Sequence, residues 1–267
     1  MILASAPLIH LMLSVSAAAA YAWPALRARQ MGTASARAWV GLAWLLHGSV
    51  LTWSLFGEHA QFGFAPAMSI TAWLVAAVYA VESQIFPQLP TRWTLCSVGA
   101  VAVLLAYFFP GNPMPSTASA WLALHLALGV ASYGLFGIAV VHAWFMTRAE
   151  ARFRHGQDPN SGLPLLTLER LTFRFVGAGF VLLSATLLAG LLFGESLYGH
   201  GHAWSWSHKT IFSLLAWVTF SVLLVGRSAF GWRGKRAVHT LYAGSVFLLL
   251  AYVGSRFVME IILGHTA

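Results

Sequence analysis

The feature that most constrains this chain is a series of eight apolar stretches, at roughly 3–23, 38–57, 66–82, 94–109, 120–146, 173–194, 208–226 and 237–263. Each approaches or exceeds the ~20 residues that a helix needs to cross a bilayer. Helix is the expected form, because a spanning segment must satisfy its own backbone hydrogen bonds in lipid. Charged residues make up 8% of the chain and apolar ones 59%, against about 25% and 45–50% in soluble domains, which excludes a water-soluble enzyme. The expected fold is all-α, a polytopic transmembrane helical bundle of about eight spans in a single integral membrane domain over 1–267. Spans three and four are short, and Pro66, Pro87, Pro90 and Pro110 punctuate their ends, where proline disfavours continued helix.

The fifteen Lys and Arg residues give a formal charge of +8, but they sit in short loops between spans rather than on a nucleic-acid-binding face. Thirteen lie in odd-numbered loops: Arg27, Arg29 and Arg37; Arg92; Arg148, Arg152, Arg154, Arg170 and Arg174; and Arg227, Arg233, Lys235 and Arg236. By the positive-inside rule both termini are expected outside and the odd loops in the cytoplasm. The first span is expected to be retained, since no basic residue precedes Arg27 as a signal peptide would require. Loop 5, about 147–172, reads as a flexible polar connection with Gly156, Pro159, Gly162 and Pro164. Tryptophans at span ends, such as Trp23, Trp39, Trp93, Trp121 and Trp232, read as an interfacial belt. Gly129, Gly134, Gly137, Gly190 and Gly194 read as close helix contacts.

A single cysteine, Cys96, excludes an intramolecular disulfide and a thiolate metal cage, so a metal or cofactor falls to His, Met, Asp or Glu. Three of the eleven histidines, His10, His47 and His125, lie within spans. At ~1.5 Å per residue they sit about 10, 15 and 7 Å below the outer ends of their spans. An ionisable group at that depth marks a functional site unless a neighbouring helix satisfies it. Neutral imidazoles on facing helices suit haem iron. The segment from Gly199 to Thr210 adds Trp204 and Trp206 as flat apolar faces, with His208 and Lys209 as partners for carboxylates. An interfacial Trp pair, or a zinc or copper site from His200, His202 and His208, are alternatives for that segment. Arg256 and Glu260, four apart on the last span, are expected to satisfy each other or to snorkel outward.

The order Leu124-His125-Leu126, Ser132-Tyr133, Trp204-Ser-Trp-Ser-His-Lys-Thr210 and Gly231-Trp-Arg-Gly-Lys-Arg236 resembles the cytochrome c assembly superfamily of CcsA- and CcmC-like proteins. The size, Glu169-Arg170 and Ala251-Tyr-Val-Gly-Ser-Arg-Phe257 are similar to its HemX and YpjD-like branch. The likeness is strongest over 120–263.

The resemblance implies a multi-pass protein of the bacterial inner membrane that binds b-type haem non-covalently at an outward-facing site beneath the tryptophan loop. His125 matches the family histidine preceding that loop, Trp204 and Trp206 match its tryptophans, and His47 resembles the second-span histidine of the YpjD-like branch. The chain departs from the pattern in lacking the loop's acids and proline, at Ser207 to Thr210, and in carrying Val225 where a histidine is expected. His265 stands close to another expected histidine but out of register, which leaves it and His10 as secondary ligand candidates. The departures imply haem handling in cytochrome c assembly without covalent catalysis, with the bilayer, haem and another membrane or assembly protein as partners. A haem-independent scaffold or regulator, or a b-type electron-transfer cytochrome, are the alternatives.

Overall fold

The computed structural model describes residues 6–27, 30–56, 60–85, 93–113, 120–154, 165–193 and 207–262. The described residues are almost entirely helical, and the protein is an all-α polytopic membrane protein. Among the described residues, seven helices are long and apolar enough to cross a membrane. They fall into two compact units.

The first unit holds α1 (Ala6–Leu26), α2 (Thr33–Phe56), a two-residue strand β1 (Gln61–Phe62), α3 (Phe64–Ile85), α4 (Trp93–Phe108) and a second short strand β2 (Asn112–Pro113). Pro66 falls in the first turn of α3, where its missing N–H has no intrahelical partner to lose, and Pro110 follows the end of α4. With 16 residues, α4 is about 24 Å long at ~1.5 Å per residue, short of the ~30 Å hydrocarbon core. Of the two doubtful spans, the third therefore has full spanning length and the fourth does not. The strands pair antiparallel, with Gln61 opposite Pro113 and Phe62 opposite Asn112. Gly111 makes the approach possible: its φ is +85°, and a Cβ there would lie 2.6 Å from the Gly63 backbone nitrogen. α2 and α3 are clasped by Trp44 and Trp73, whose rings stack at 4.6 Å. Each indole N–H of the pair donates to the other residue's carbonyl, at 3.2 and 2.9 Å.

The second unit holds α5 (Ala120–Arg154), α6 (Leu165–Leu192), α7 (His208–Phe230) and α8 (Gly234–Leu249). α8 is prolonged by π-helical turns at Leu250–Gly254 and Val258–Ile262 around a short α turn, Ser255–Phe257. At its centre Phe136 and Phe220 stack at 3.8 Å, with Gly179 and Gly244 beneath the two rings. The Tyr133 hydroxyl ties α5 to the Leu248 carbonyl. α7 stops at Gly231, which takes the left-handed conformation that glycine adopts without strain. The Trp232 ring then folds back against Gly226.

Loop 5 is shorter than its polarity indicates. α5 continues to Arg154 and α6 already begins at Leu165, so Arg148, Arg152, Arg154, Arg170 and Arg174 are helical residues. Long basic side chains can leave the membrane from a helix without ending it, and a polar stretch therefore does not mark a coil. Arg256 lies 6.0 Å over the Tyr252 ring, whereas the side chain of its expected partner Glu260 lies outside the described residues.

Candidate functional site

In the second unit, the antiparallel contact of α5 with α6 brings His125 opposite Gly190, Gly129 opposite Thr186, and Phe136 opposite Gly179. These α5 positions form one stripe at helical spacing. The His125 ring is partly buried, contacts the backbone of Thr186, and keeps its Nδ1 shielded from solvent with no hydrogen-bond partner. A Cβ at Gly190 would come 3.5 Å from His125 Cε1, so the imidazole packs directly against the glycine. One turn away, Trp121 stacks on Phe193 at 3.9 Å and 13°, closing that end of the α5–α6 contact. Ser132, two turns along the same stripe, is wholly buried with its hydroxyl unpartnered. Buried polar atoms are normally hydrogen-bonded, so an imidazole nitrogen without a partner has the donor chemistry that iron accepts.

In the first unit, His47 is completely buried. Its Nε2 lies 2.8 Å from Ser69 Oγ on α3 and its Nδ1 3.4 Å from the Tyr21 hydroxyl on α1. A neutral imidazole offers one donor and one acceptor, and hydroxyls can play either role, so both nitrogens are served within the protein. A metal at His47 requires exchange of one of these contacts. His10 lies 3.2 Å from the Ser54 hydroxyl and 5.5 Å from the Tyr107 ring.

His208 and Lys209 are exposed in the first turn of α7. Trp204, Trp206, His200, His202 and His265 lie outside the described residues. Among the described residues, no group of three or more His, Cys, Asp or Glu side chains is placed to hold a metal ion.

Tyr21 and Ser69 beside His47, and Thr186 beside His125, carry no signal in the sequence, and Gly190 carries only that of a packing residue. The opposed glycine and histidine carry a signal only once the α5–α6 register is known. Glu169 is a further case. It accepts from the Arg227 guanidinium and lies 3.6 Å from Arg233 Nε, while Arg227 also covers the Phe173 ring at 3.8 Å. A single buried carboxylate thus joins α6, α7 and the turn into α8.

Among characterised proteins, the inner membrane protein YpjD of Escherichia coli K12 is 32% identical over 165 residues, covering 61% of this chain and 61% of that protein. The cytochrome c biogenesis protein CcsA of Prochlorococcus marinus is 27% identical over 189 residues, covering 60% and 59%. The CcsA protein of Gloeobacter violaceus is 32% identical over 94 residues, covering 35% and 27%. The chain therefore spans about three fifths of the length of the first two relatives. No solved structure matches it. The family model described as Cytochrome C assembly protein matches residues 38–263, and the chain belongs to the cytochrome c assembly family of multi-pass membrane proteins.

Proposed function

We propose that this protein is a haem-handling component of cytochrome c assembly in the bacterial inner membrane, binding b-type haem non-covalently and performing no covalent catalysis itself. The observation that carries this reading is the His125 imidazole, which packs against Gly190 at the α5–α6 contact and has a buried nitrogen without a hydrogen-bond partner. Family membership and the likeness to proteins named for cytochrome c biogenesis support it.

His125 is the iron ligand in this proposal. His47 is the ligand candidate of the first unit, reached by giving up its Ser69 contact, with His10 and His265 in reserve. Trp204 and Trp206 supply a stacking face, and His208 and Lys209 meet the propionates. Haem held in this way supplies an iron whose ligation can be exchanged on delivery. The chain's own residues do the rest: α6 excludes water from one side of the His125 ring, and the Trp121–Phe193 stack closes the end of the helix pair.

The test is to purify the protein in mild detergent after expression with ample haem and to record its absorption spectrum and haem-to-protein ratio. A Soret band with near-stoichiometric haem is expected. Protein free of haem would support a scaffold or regulator, and rapid reduction of bound haem by quinol would support a b-type electron-transfer protein.

A further inference from the structure

The start of α6 and the turn from α7 to α8, joined through Glu169, Arg227 and Arg233, together carry six basic residues and one acid. Glu169 is occupied by Arg227 and approached by Arg233. That leaves Arg170, Arg174, Lys235 and Arg236, all exposed, with no anionic partner among the described residues. Arg236 has only the Trp232 ring, at 5.1 Å. Arg170 and Arg174 stand at i and i+4 on one helix face, a spacing at which like charges repel. A cation excess of this kind is relieved by a bound anion, and phosphate matches the planar donor fork of arginine.

The surroundings select the form of that phosphate. Leu166 is 62% exposed and Phe230 74% exposed, so large apolar side chains flank the cations. A free phosphate or an acidic protein surface has nothing to offer them, whereas a phospholipid presents an anionic head joined to acyl chains. We propose that Arg170, Arg174, Arg233, Lys235 and Arg236 form a binding site for the headgroup of an anionic phospholipid, with Phe230 and Leu166 against its chains. The site is separate from His125, whose neighbours Thr186 and Gly190 lie about three turns or more beyond Arg174 along α6.

The experiment uses the full chain in dodecyl maltoside micelles doped with dioleoyl phosphatidylglycerol or with dioleoyl phosphatidylcholine. Native mass spectrometry counts retained lipid, and thermal unfolding reads stabilisation. Phosphatidylglycerol should be retained and should raise Tm, while phosphatidylcholine and inorganic phosphate should not. The quadruple variant Arg170→Gln, Arg174→Gln, Lys235→Gln, Arg236→Gln should lose phosphatidylglycerol affinity by about fivefold per cation removed. Arg27→Gln, an exposed change in the other unit, should retain it. All four altered side chains are exposed, and a melting curve of the variant without lipid confirms its folding. Equal retention of both lipids, or undiminished phosphatidylglycerol retention by the folded variant, overturns the proposal. Equal stabilisation by inorganic phosphate, or tighter binding of a polyglutamate peptide than of phosphatidylglycerol, overturns it in favour of those anions.

Discussion

Gly190 on α6 faces the ring of His125 on α5, and a Cβ in its place would lie 3.5 Å from Cε1. That distance is ordinary van der Waals contact, so alanine fits and a longer side chain fills the space beside the imidazole. Gly190→Ala should retain haem. Gly190→Leu should lower haem content about tenfold or more, equivalent to ~1.4 kcal/mol of binding, while the protein stays folded. Haem-to-protein ratio of the purified variants is the measurement, and equal haem in both would remove Gly190 from the site.

The Tyr21, His47 and Ser69 contacts give a contrasting prediction, because here both imidazole nitrogens already have partners. Ser69→Ala strands Nε2 in a fully buried setting, which costs about 1–3 kcal/mol and should lower Tm in haem-free protein. Tyr21→Phe removes a longer contact and should cost less. If Ser69→Ala leaves the haem-free Tm unchanged, the contact contributes nothing to stability.

Glu169 carries the charge balance of the second unit's basic end. Glu169→Gln keeps the side chain's shape but leaves Arg227 without its carboxylate. Because the pair is partly exposed, the expected loss is about 1–3 kcal/mol rather than the full penalty of a buried broken pair. Arg233→Gln, at a largely exposed and longer contact, should cost under about 0.5 kcal/mol. Paired thermal melts in detergent check the ranking, and the reverse order would show that Arg233 is the principal partner.

The basic residues clustered over 148–174 and 227–236 are expected, by the positive-inside rule, to face the cytoplasm. A reporter active only in the cytoplasm should work when fused after Arg236 and fail when fused after Ala267. The opposite pattern would invert the topology.

Much of this architecture is legible in the residues themselves. The apolar runs mark the helices, and Pro66 and Pro110 mark where α3 begins and α4 ends, because chain solvation by lipid leaves a periodicity-free signal that length alone decodes. The extension of α5 to Arg154 and of α6 back to Leu165 is not legible, since arginine-rich helical turns outside the apolar core look like loop. The depth of His47 and His125 can be counted along their spans, but their difference cannot. Ser69 hydrogen-bonds to one and Gly190 packs against the other, and both partners are distant in sequence and fixed only by helix register. Glu169 looks like a loop residue until Arg227 is brought to it.

The most direct measurement is the absorption spectrum and haem content of His125→Ala, purified beside wild type and His142→Ala. His142 shares α5 with His125 and is the more deeply buried of the two, edge-on to Phe175 at 5.5 Å, so it controls for loss of a buried histidine from the same helix. The Soret band should be lost or strongly shifted in His125→Ala and kept in His142→Ala. A wild-type spectrum with full haem content in His125→Ala would contradict it.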